Sequence, residues 1–120
     1  MSALGAHMAA LTQRQAELED LRGRIESDVR GAFLDLEAAA SQVEVATKNH
    51  QVTGETLGLT RQRFEAGVTD SVEVVQSQES VATAELDYIN SVFAHNVAKL
   101  SLARAIGRVA ESLPQYLKLP

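Results

Sequence analysis

An all-α fold, a long antiparallel helical hairpin of coiled-coil type, is what this sequence predicts, and three observations predict it. From Leu11 to Phe64 there is no proline, and apolar or small residues recur with heptad spacing. The run Ala66-Gly67-Val68-Thr69-Asp70-Ser71 then interrupts that pattern with turn and capping residues, and a second apolar-periodic stretch follows as far as Gly107. Seven Gly and two Pro in 120 residues are too few for the many turns of a sheet.

The first helix is expected over about residues 9–65. One stripe runs Val29, Leu36, Val43, His50, Leu57, Phe64 and a second, smaller one Leu11, Leu18, Ile25, Ala32, Ala39, Ala46, Thr53. Between them Glu17, Arg22, Glu26, Arg30, Glu37, Glu44 and Lys48 stand where opposite charges three or four residues apart meet on a solvated surface. Gly23, Gly31, Gly54 and Gly58 each cost about 1 kcal/mol relative to alanine inside a helix. They are either points of close helix approach or tolerated surface glycines.

Gly67 suits the left-handed residue that ends a helix, and Asp70 with Glu73 has the spacing of a capping box, so the second helix is expected over about 71–107. Its apolar face reads Val72, Val75, Ala82, Leu86, Ile89, Phe93, Val97, Leu100 and Ala103. A connection this short lays the two helices side by side, antiparallel. At 1.5 Å per residue they span on the order of 85 Å and 55 Å, a strongly unequal pair. Leu11, Leu18, Leu21 and Ile25 are therefore expected to lack a partner within the chain, and a two-helix hairpin leaves a flank of each helix open. Both point to oligomers or to the remainder of a larger bundle. Residues 108–120, with Pro114 and Pro120, are expected to be irregular. Gly5-Ala6-His7-Met8 looks like a cloning scar, which sets residues 1–8 aside as vector-derived.

Composition excludes several functions. Sixteen acidic against eleven basic residues, a formal net charge of -5, give no footprint for nucleic acid. Without cysteine there is neither a disulfide framework nor a thiolate metal site. His7, His50 and His95 have no ligand spacing, no phosphate loop or nucleophile elbow occurs, and no enzyme activity, metal or cofactor is expected. His50 reads as a packed or interfacial residue on the apolar stripe. No apolar run approaches the roughly 20 residues of a spanning helix.

The segment from Arg61 to Gln78, RQRFEAGVTDSVEVVQSQ, resembles the periplasmic tip of TolC-like outer-membrane efflux proteins, in which R-[YF]-x-x-G is followed by a Thr, Ser or Asp cap and [LV]-[DE]-V-[LV]-x-[AS]-Q. Ala84, Leu86, Tyr88, Asn96, Ala98, Leu100, Arg104, Ala105 and Gly107 resemble that family's return helix, ending in R-A-x-G. Val29-Arg30 to Leu36 resembles its V-R-x-A-[YF]-x-[DN]-L segment. The likeness covers roughly Leu11 to Gly107.

The resemblance implies a fragment, residues 9–107, of the periplasmic tunnel of a trimeric outer-membrane channel that exports drugs, small toxic molecules or proteins. Its partners would be a periplasmic adaptor (membrane fusion) protein and, through it, an inner-membrane pump. It implies adaptor contact at Gly67, Val68, Thr69 and Asp70, an aperture position at Glu73, and polar or aromatic links between helix pairs at Arg61, Arg63 and Phe64. Gln76 departs from a second acidic residue found in some members, which puts a double acidic ring in doubt. Each of these residues also has a plain reading: a turn, a cap, solvated arginines, a core phenylalanine. Two other classes stay open. One is a structural coiled-coil hairpin of an adaptor or scaffold protein. The other is a four-helix bundle holding a metal or cofactor after dimerisation, although no inward Glu and His stand at i and i+3.

Overall fold

The computed structural model describes residues 2–117, and among them two helices: α1, Ala3–Glu65, and α2, Ser71–Leu117. Their order and the short connection make the fold an antiparallel helical hairpin. It divides into two units, one holding Asp35–Lys99 and the other joining α1 up to Leu34 with α2 from Leu100 onward.

Within the Asp35–Lys99 unit, the covered positions follow both heptad stripes. On α1 these are Leu36, Ala39, Val43, Ala46, His50, Thr53 and Leu57, all half-buried, and then Thr60, which is buried. Phe64, the end of the larger stripe in the sequence, remains 47% exposed because the covered seam stops at Thr60.

α2 turns a different face to α1 from the one its large apolar residues mark. The covered residues are Val74, Ser77, Val81, Ala84, Ser91, Val92, His95 and Ala98, while Val72, Val75, Leu86, Ile89, Phe93 and Val97 are all exposed, Phe93 at 70%. The physical reason is close packing through small side chains. Ala84 is 1% exposed and Ala98 8%, and a helix that meets its neighbour most closely at alanines brings the two backbones together there, with Val92 and His95 half-buried between those points. Ala84→Leu should accordingly cost about 1–3 kcal/mol by overpacking, measured as a drop in the urea midpoint.

In the other unit, Leu18, Leu21, Ile25, Val29 and Ala32 are half-buried, and so are Leu102 and Val109, with Ala105 buried between them. α2 does not stop at Gly107: it continues through Pro114 to Leu117, where an end at 107 and an irregular tail were expected. Leu102, Ala105, Val109 and Ser112 prolong the same three- and four-residue spacing. That covered stripe offsets the cost of a mid-helix glycine. The extension also supplies a partner that Leu21 and Ile25 were expected to lack, since both line a groove with Ala105, Arg108, Glu111 and Ser112, and Leu18 is half-buried; among the described residues toward the start of α1, Leu4, Met8 and Leu11 stay exposed. α1 takes in residues 3–8, and residues 118–120 of the expected tail lie outside the described residues.

The charged face behaves as a solvated surface: Arg24 pairs with Asp20 at 3.0 Å and Arg22 with Glu26 at 3.4 Å, every side chain more than 60% exposed. A Cβ added at Gly23, Gly31, Gly54 or Gly58 meets nothing within 4 Å, so these are surface glycines and not sites of close approach.

Candidate functional site

The connection between the helices is built by hydrogen bonds its sequence dictates. Gly67 takes φ = +75°, which L side chains rarely adopt. With the chain reversed there, the Val68 amide donates to the Arg63 carbonyl at 2.9 Å and the Gly67 amide to Phe64 at 3.0 Å. These are the two bonds of a Schellman cap, and they satisfy carbonyls that the end of α1 would leave open. Three residues on, Asp70 Oδ1 accepts the Glu73 amide at 3.1 Å and opens α2.

The capping box forms on one side only. Instead of returning to the Asp70 amide, the Glu73 carboxylate turns toward Arg63 on α1, Oε2 to Nη1 3.9 Å, with both side chains about half exposed. At the loop itself Val68 is 67% exposed, an apolar side chain held out on a rigid turn, and Thr69 is half-buried.

Just behind the turn a groove of about 360 Å³ runs between the helices, lined by Thr53, Thr56, Thr60 and Arg63 of α1 and by Glu73, Gln76, Ser77 and Ser80 of α2. At its floor the Ser77 hydroxyl donates to Thr60 Oγ1 at 3.2 Å, while Thr60 donates to the Thr56 carbonyl at 2.8 Å. Of the residues expected at the tip, the structure thus brings Arg63, Glu73 and Gln76 to one groove, whereas Arg61 and Phe64 do not line it. The hydroxyl floor was missed in the sequence, although its signal was present: Thr60 is the next step of the stripe that runs through Ala46 and Thr53.

Farther from the tip, His50 lies at the seam as an interfacial residue. Its Nε2 is 3.5 Å from Glu85 Oε1, and its ring stacks on Tyr88 with centroids 6.2 Å apart. Among the described residues no group of three His, Asp or Glu gathers closely enough to hold a metal ion, and no helix is long and apolar enough to cross a membrane.

Comparison with curated proteins and with solved structures returned no match. A family model described as outer membrane efflux protein matches residues 1–108, all but the last twelve of the chain. Proteins of that family are channels rather than enzymes. The Gly67 turn, the Asp70 cap and the paired helices on either side lie inside the matched span, and the chain belongs to the outer membrane efflux protein family.

Proposed function

We propose that this hairpin forms part of the periplasmic tunnel of a trimeric outer-membrane efflux channel, whose tip docks to a periplasmic adaptor protein and through it to an inner-membrane pump. The observation that carries the reading is the outward face of α2. Val72, Val75, Leu86, Ile89 and Phe93, at successive spacings of three, eleven, three and four residues that keep them on one side of the helix, form an apolar stripe that the hairpin's own seam leaves uncovered. A helix that packs on α1 through alanines and carries larger apolar residues elsewhere is suited to lie between two neighbours, as the wall of a helical tunnel requires. The structural-scaffold alternative has no comparable support in the family match.

In this reading Gly67, Val68, Thr69 and Asp70 present the adaptor contact. Exposed Val68 is the apolar anchor, and the two capping motifs hold it rigid. Glu73 and Gln76 face the aperture, and three copies of Glu73 make a ring attractive to cations. Arg61, Arg63 and Phe64 link neighbouring helix pairs near the tip, with Arg63 shared between that role and its contact to Glu73. The exported cargo is of the small-molecule or protein kind handled by such channels.

Val68→Asp tests the docking. The substitution lies on an exposed loop position, so the hairpin's melting is expected to stay within about 0.5 kcal/mol of the parent. Adaptor-hairpin binding, followed by surface plasmon resonance, is expected to weaken about tenfold or more, as loss of a central anchor does. Unchanged affinity would remove the tip from the contact.

A further inference from the structure

Away from the tip, in the unit that joins α1 up to Leu34 with α2 from Leu100 onward, a second groove of about 780 Å³ runs between the helices. Half-buried Ile25 and Val29 of α1 and Leu102 and Val109 of α2 make its floor, and Phe33 and Ile106, each about half exposed, stand as its walls. From Ile25 to Phe33 is about 12 Å along α1, and a short apolar trough of this volume has the dimensions of a small-molecule site. Two charged residues complete the lining, Glu26 and Arg30. They stand one helical turn apart, yet they do not pair. Glu26 turns to Arg22, Oε1 to Nε 3.4 Å, and among the described residues Arg30 forms no salt bridge. The carboxylate is thus balanced and the guanidinium is not, which leaves one net positive charge at the edge of an apolar groove.

We infer that this groove binds an amphipathic organic anion, its apolar chain or ring system laid along the floor and its terminal carboxylate or sulfonate against Arg30. The apolar body displaces water from the floor residues, and a planar carboxylate meets the guanidinium fork through two parallel N–H donors. A neutral amphiphile gains the first interaction and not the second. A cationic one faces Arg30 with a like charge, and the carboxylate that could receive it is already engaged with Arg22. A helix laid over the groove would run well past a trough this short, and would cover the Arg30 guanidinium unpaired unless it carried a carboxylate at that one point. Neither the Gly67–Asp70 loop nor the outward stripe of α2 enters the site, so the inference stands apart from the docking and tunnel readings.

The test is nuclear magnetic resonance titration of the whole chain with decanoate, decanol and decyltrimethylammonium, each kept below the concentration at which it aggregates. Decanoate is expected to shift the signals of Val29, Leu102, Ile106 and Val109 and to bind about fivefold more tightly than decanol, with the cation weakest. Arg30→Gln, at an exposed position, keeps the helix and should bring decanoate down to the affinity of decanol. Ile106→Ala should weaken both ligands and preserve their ratio. Phe93→Glu should change neither, which separates the groove from the apolar surface of α2. Equal binding of the three ligands, preference for the cation, an anion preference that survives Arg30→Gln, or no shift at the groove would overturn the inference. So would concentration-dependent shifts of the same residues without ligand, which would assign the groove to a second copy of the chain.

Discussion

Replacing Gly67 with valine is expected to destabilise the hairpin by about 2 kcal/mol or more, read as a fall in the urea midpoint with an unchanged slope. The cost is conformational: a Cβ at this position meets nothing within 4 Å, but φ = +75° is a region in which L-residues are strained, and β-branched ones most. Relaxing that strain would break the hydrogen bonds from Val68 to Arg63 and from Gly67 to Phe64, and with them the geometry that holds the loop rigid. Gly67→Asn separates the two contributions, since asparagine visits the left-handed region more readily. The asparagine protein should recover much of the lost stability. Equal stability of the valine and asparagine variants would contradict this account of the turn.

The second large effect is expected on the outward face of α2. Glutamates at Ile89 and Phe93, which are 62% and 70% exposed, should leave the helix content and melting of the chain itself nearly unchanged, within about 0.5 kcal/mol per site. Packed against a neighbouring helix, the same two charges would be desolvated without partners, at a cost of several kcal/mol each. On the proposal that α2 packs in the wall of a multimeric tunnel, the protein carrying them should fail to assemble, judged by the loss of that multimer on mild-detergent gels. Ala84→Leu should do the reverse at the level of the chain, weakening the hairpin itself. Persistence of the multimer in the doubly charged protein would mean that α2 faces water there.

Much of this fold could be read from residues. Gly67, Asp70 and the proline-free heptads of α1 act locally, through backbone conformation and short-range hydrogen bonds, and local rules find them. The family likeness rested on the same turn together with the return-helix pattern, and the match over residues 1–108 supports it. The facing side of α2 was not legible, because an apolar stripe says that a face is covered and not by what. Large residues such as Leu86 and Phe93 outweigh alanines on any hydrophobic scale, yet Ala84 and Ala98 are the ones that permit close approach. Continuation past Gly107 escaped for a related reason. A glycine signals a stop when nothing lies beyond it to bury, and Val109 and Ser112 have α1 to lie against.

At the candidate site, residue identity placed Glu73 beside its cap but not across from Arg63. Which of two neighbouring partners a carboxylate takes depends on the distance between helices, and that follows from packing. The hydroxyl floor at Thr60 and Ser77 was hidden likewise, since threonine and serine in a helix bond their own backbone unless a neighbour is near enough to offer more.

The most direct measurement of the tunnel reading is photocrosslinking from position 93, with a photoreactive residue in place of Phe93, in the intact protein within the bacterial envelope. Packing of the outward α2 face against other helix pairs of the same channel predicts strong crosslinks to further helices of that protein, within or between its copies, and none to solvent-borne proteins. Absence of such crosslinks in a folded, membrane-inserted protein would contradict it.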